Sequence, residues 1–75
     1  MAVIRQLQHR TLERVTPHSE VDCTYTIVHD AGVRYLQLDT YGSSERMMKD
    51  KKSQSLRLSP EAIAQLKEII ARERL

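Results

Sequence analysis

The chain reads as a small α+β domain: a curved antiparallel sheet of three to four strands with a C-terminal helix packed on one face. Three observations predict this. Between residues 21 and 41, apolar and polar residues alternate with a period of two on either side of Asp30-Ala31-Gly32. Leu56 and Leu58 repeat that period against Ser55 and Arg57. Directly afterwards, Ile63, Leu66, Ile69 and Ile70 recur at helical spacing. Period two marks a half-buried strand, and spacings of three and four mark an amphipathic helix.

Residues 1–19 leave two assignments open. Ile4, Leu7, Leu12 and Val15 fall near helical spacing, yet Val3, Leu7 and Val15 also share a period-two face. Helix and strand both remain possible for such a short amphipathic run. Arg5, His9, Arg10 and Arg14 make its other side basic, the pattern of a solvated face. Thr16-Pro17-His18-Ser19 breaks the chain before the next element.

Antiparallel strands are expected over residues 20–58. Val21, Cys23, Tyr25 and Ile27 form one face of the first, opposite Asp22, Thr24 and Thr26. Its β-branched and aromatic content favours a pleated surface. Asp30-Ala31-Gly32 offers a glycine for positive φ, so a hairpin follows. The return strand, residues 33–41, carries Leu36 and Leu38 on one side and Tyr35, Gln37, Asp39 and Tyr41 on the other. A loop, residues 42–52, then holds Arg46, Lys49, Lys51 and Lys52 against Glu45 and Asp50. It is the densest positive patch in the sequence.

The helix is expected over residues 59–74. Ser59 offers a hydroxyl to the open N–H groups of a helix start, Pro60 suits the first helical position, and Glu61 favours the positive end of the dipole. Arg72 and Arg74 complement the other end. On this geometry Cys23, Tyr25, Ile27, Leu36, Leu38, Leu56 and Leu58 point to the side that Ile63, Leu66 and Ile70 cover. The opposite side shows Thr24, Thr26, Tyr35, Gln37, Asp39, Tyr41, Ser53, Ser55 and Arg57 to solvent.

Composition bounds the function. Seventy-five residues make a single domain, 1–75, whose core is marginal at this size, so a second copy is a reasonable source of buried area. Twelve Lys and Arg against ten Asp and Glu give a formal charge of only +2, so any anion binding must come from clustering. The single Cys23 excludes an internal disulfide and fits a reducing cytoplasm. No apolar run is long enough for a signal peptide or a membrane span, so a cytoplasmic location without membrane contact is expected. His9, His18, His29 and Cys23 lack metal-ligand spacing, and Cys23 on the inferred core face reads as a buried structural thiol. Asp39, Glu45 and Lys51 do not form a nuclease signature. With only Gly32 and Gly42 there is no glycine-rich phosphate loop. No catalytic residue, metal site or cofactor is implied.

Tyrosines and an arginine on an open sheet face beside a basic hairpin suit a single-stranded nucleic acid. Tyr35 and Tyr41 would stack bases, and Arg57 would span base and phosphate. Arg46, Lys49, Lys51 and Lys52 would hold phosphates. The order of elements resembles the positive cofactor four family of single-stranded-DNA-binding transcriptional coactivators and its small bacterial relatives. The segments that carry the resemblance are Val33-Arg-Tyr-Leu-Gln-Leu-Asp-Thr-Tyr41, Lys51-Lys-Ser-Gln-Ser-Leu-Arg-Leu-Ser-Pro-Glu61 and Gln65-Leu-Lys-Glu68. The resemblance covers about residues 20–74. The resemblance implies a dimer that cradles DNA or RNA single strands on its sheets, as a small regulator of transcription or DNA metabolism. The chain departs from the family in carrying Lys49-Asp50-Lys51 where a loop glycine is usual, and in having no Trp or Phe. It is also similar to short bacterial proteins with a Tyr-Leu-Gln-Leu-Asp-Thr-Tyr-Gly-Ser segment, some described as formyltransferase-like for methionyl-tRNA. A folate-dependent transferase needs a deep two-substrate pocket that a chain this short can scarcely enclose.

Ile69 and Leu75, apolar positions beyond the core stripe, are the candidates for a twofold contact. The alternative function is a protein-interaction module, an accessory subunit that binds a partner by its open sheet face or an edge strand.

Overall fold

In the computed structural model, residues 1–42 and 52–75 are described. They form strands β1 (Ala2–Ile4), β2 (Asp22–Asp30), β3 (Val33–Tyr41) and β4 (Gln54–Leu58), followed by helix α1 (Pro60–Glu73). The four strands make one open sheet in the order β1-β4-β3-β2. β3 is antiparallel to both neighbours, as its hairpin with β2 and its return into β4 require. β1 is parallel to β4, which makes the sheet mixed rather than wholly antiparallel.

The two open assignments at the start of the chain resolve as a three-residue strand followed by a connection without helix or strand. β1 and β2 lie on opposite edges and run the same way, so residues 5–21 must cross the whole sheet. A parallel crossover of this kind needs a dozen or more residues. The connection passes the helix at Leu7. There the backbone N–H of Leu7 donates to Gln65 Oε1 at 2.8 Å, and Gln65 Nε2 donates to the Leu7 carbonyl at 3.2 Å.

β2 and β3 close through a two-residue turn, with Asp30 paired to Val33. Ala31 (φ 51°) and Gly32 (φ 78°) both occupy the left-handed region, the conformation whose twist matches the flanking strands. Glycine adopts it freely; alanine is strained there.

α1 begins as its local sequence dictates. Ser59 stays extended (φ −70°, ψ 165°), and its Oγ accepts the Ala62 N–H at 3.2 Å. Pro60 opens the helix and Glu61 lies in its first turn. The Ser59 N–H also donates to the Ile4 carbonyl at 2.9 Å, so the cap extends the β1–β4 ladder. Leu58, Ser59 and Ala62 are buried at this junction of strand, edge and helix. At the far end Arg74 turns into the left-handed region, and Leu75 N–H closes on the Ile70 carbonyl at 3.0 Å.

The face assignments follow the register. Leu36 pairs with Leu58 and Ile27, and Leu38 pairs with Leu56 and Tyr25. Coverage of that apolar face differs from expectation. Cys23, Tyr25 and Ile27 share it yet remain exposed, Tyr25 by 72% and Ile27 by 45%. Cys23 is therefore not a buried structural thiol. Ile70, expected over the sheet, is also exposed. The reason is width: a helix is roughly 10 Å across and spans about two strands at roughly 4.8 Å spacing. Because Ser59 turns the chain straight from β4 into α1, the helix lies over β4 and β3 and leaves β2 largely exposed.

Candidate nucleic-acid interface

On the face away from the helix, β3 presents Tyr35, Gln37, Asp39 and Tyr41 in a row along its length. Six residues at roughly 3.4 Å each separate the two tyrosines by about 20 Å. Register places Arg57 beside Gln37 and Ser55 beside Asp39 on β4. It places Thr26 and Thr24 beside the same two residues on β2.

The centre of this row is not open to solvent. Gln37 is buried, and Asp39 is only 2% exposed. Both sit on β3, between β4 and β2, and they bond to each other and across to β4. Gln37 Nε2 donates to both Asp39 oxygens at 3.0 and 3.2 Å. Ser55 Oγ donates to Asp39 Oδ1 at 2.5 Å. Arg57 Nε donates to Gln37 Oε1 at 2.7 Å. Lys52 Nζ stands 3.4 Å from Asp39 Oδ2. Asp39 only accepts and Arg57 only donates, so the orientation of the Gln37 amide between them is forced. Among the described residues no buried side-chain polar atom lacks a partner.

This network tunes its acid. The Ser55 hydroxyl holds the Asp39 carboxyl below its ordinary value of 3.8. Burial pushes the other way, and the Gln37 amide and the Lys52 ammonium add to the lowering. Asp39 is thus a charged acceptor that organises the face, and its charge is balanced locally by Lys52.

The candidates from the sequence fall into three groups. Tyr35, Tyr41 and Arg57 share the face and are half-buried, with Tyr41 Oη 3.1 Å from Thr24 Oγ1. Arg57 is held through Nε, and among the described residues nothing engages its two terminal nitrogens, which form a fork suited to an anionic oxygen. Lys52 joins the edge of the same face but leans on Asp39, its side chain half exposed. Arg46, Lys49 and Lys51 lie outside the described residues. Of the two dimer candidates, Ile69 is half-buried and lines an open groove with Leu7 and Gln65, whereas Leu75 is 84% exposed.

Sequence reasoning placed Gln37, Asp39 and Ser55 on this face but missed that they form its interlocked centre. The available signal was two adjacent polar positions on the strand with a paired neighbour on each side. Such positions cannot reach water easily and must satisfy one another. Among the described residues no group of three or more His, Cys, Asp and Glu could hold a metal ion. None of the helices among those residues is long and apolar enough to cross a membrane. No known protein family, characterised protein or solved structure matches the chain.

Proposed function

We propose that this chain is a non-catalytic single-stranded nucleic-acid-binding module, acting in the cytoplasm as a small regulator of transcription or DNA metabolism. The observation that carries the reading is the row Tyr35-Gln37-Asp39-Tyr41 with Arg57 locked beside it. Two aromatic rings about 20 Å apart on one strand are spaced for bases of one extended strand. Arg57, pre-set by Gln37, meets a phosphate or a base edge without first losing its rotamer freedom. Lys52 with Arg46, Lys49 and Lys51 supplies the remaining phosphate contacts. DNA and RNA are both compatible with this chemistry, and a homodimer would present two such rows.

The test is fluorescence anisotropy of a labelled mixed-sequence single strand, with duplex as control, at two salt concentrations. Affinity for the single strand is expected to exceed that for duplex and to fall steeply with salt. Tyr35→Ala or Tyr41→Ala should each weaken binding by about 1–3 kcal/mol per stacked base. Arg57→Ala should weaken binding and flatten the salt slope. No binding at low salt would remove the reading. The second reading, a protein-interaction module, is favoured by the exposed apolar residues of β2 and predicts binding that salt barely changes.

A further inference from the structure

We propose that β2 is a joint between two copies of this chain. The free edges of two β2 strands pair antiparallel about a twofold axis and join two four-stranded sheets into one of eight. This inference does not depend on nucleic-acid binding.

β2 is the outermost strand and nine residues long, whereas the opposite edge, β1, has three. One row of its backbone N–H and C=O groups therefore faces away from the sheet. Edge strands are usually blunted by lysine, proline, a bulge or a covering element. Asp22–Asp30 contains no Lys, Arg, Pro or Gly, and its pairing with β3 runs unbroken through all nine residues. The helix leaves most of it exposed. Its helix-side residues Cys23, Tyr25 and Ile27 alternate cleanly and are exposed. Ile27 also opens an apolar cleft of about 550 Å³ that continues over Leu36, Pro60, Ile63 and Ala64. A second copy at the edge would wall the outer side of that cleft.

Area points the same way. A folded monomer of 8.7 kDa is expected to expose about 4,700 Å². This chain exposes 6907 Å². The extended connection 5–21 accounts for part of the difference. The excess is larger than the roughly 800 Å² per partner that a standard interface covers.

Symmetry restricts the register. To keep Cys23, Tyr25 and Ile27 on one face of the joint sheet, the axis must pass through a residue, which leaves Tyr25 or Thr26 near the middle. An axis at Thr26 sets Asp22 opposite the partner's Asp30, a like-charge pair that opposes association. An axis at Tyr25 keeps its one like-charge register, Asp30 with the partner's Glu20, outside the paired strand residues, and sets Asp22 opposite the partner's Val28, Thr24 opposite the partner's Thr26, and Cys23 opposite the partner's Ile27. Tyr25 then meets its own symmetry mate, an aromatic pair at the centre. The Tyr25 axis is the one proposed.

Solution mass and cross-linking test this together. By light scattering, the parent is expected at twice its chain mass of 8.7 kDa, and Tyr25→Lys at the single mass with an unchanged far-ultraviolet spectrum. Ile27→Cys, oxidised, should trap a covalent dimer through native Cys23, and the added change Cys23→Ser should abolish it. If Tyr25→Lys fails to fold, the cross-link decides alone. A parent that keeps the single mass at millimolar concentration would overturn the proposal. So would a folded Tyr25→Lys chain of double mass, or a failure of both the Ile27→Cys and the His29→Cys chains to crosslink. A dimer trapped by His29→Cys in place of Ile27→Cys would overturn the Tyr25 axis.

Discussion

Asp39 is the residue on which the polar face turns. It is buried, charged and met by Gln37, Ser55 and Lys52. Its folded-state value lies below the ordinary 3.8, so the carboxylate's contribution to stability is fully present above that value. It is lost as pH falls below 3.8 and through the lowered folded value. A thermal melt series from neutral to strongly acidic pH should show that loss, and Asp39→Asn should both lower the midpoint at neutral pH and remove this part of the acid dependence. The asparagine amide would set a donor against the Gln37 amide, which has no reason to reorient while Arg57 holds its oxygen. An Asp39→Asn chain with an unchanged neutral midpoint would show that the network carries no stability.

At the scale of elements, two junctions carry separable predictions. Ser59 caps α1, closes the β1–β4 ladder and is fully buried. Ser59→Ala should cost about 1 kcal/mol, seen as a midpoint about 4–8 °C lower. The hairpin is the opposite case. Ala31 sits at φ 51° beside Gly32, where asparagine is the favoured partner of glycine in a two-residue turn. Ala31→Asn should therefore raise stability by about 1 kcal/mol, by relief of left-handed strain. A melt that moved the other way would mean the turn is held by something beyond its own backbone.

The whole molecule is a slab of 39 × 37 × 19 Å with a radius of gyration of 14.5 Å, against about 11 Å for a compact domain of this length. One helix on a four-stranded sheet leaves little fully buried; Leu58 and Ala62 are the buried apolar side chains among the described residues. Such a core is thin for a chain that must stand alone. Association should therefore show in stability itself: the unfolding midpoint of the parent should rise with protein concentration, and that of Tyr25→Lys should not. A concentration-independent parent midpoint would indicate a monomer that is stable without help.

Much of this was legible along the chain, because local rules act over a few residues. The alternation around Tyr25 and Leu36 identified the hairpin, and Ser59-Pro60-Glu61 identified the helix start to the residue. The face of each strand residue followed from parity alone. Tertiary structure decided the rest, since those quantities depend on what lies opposite. It set β1 parallel to β4, because residues 5–21 cross from one edge to the other. It left β2 largely exposed, because one helix is only about two strands wide. It buried Gln37 and Asp39 on a face that alternation could only label polar, where they bond to each other and to Ser55 and Arg57 across the sheet. Parity tells which way a side chain points; only the assembled sheet determines whether water is there to meet it.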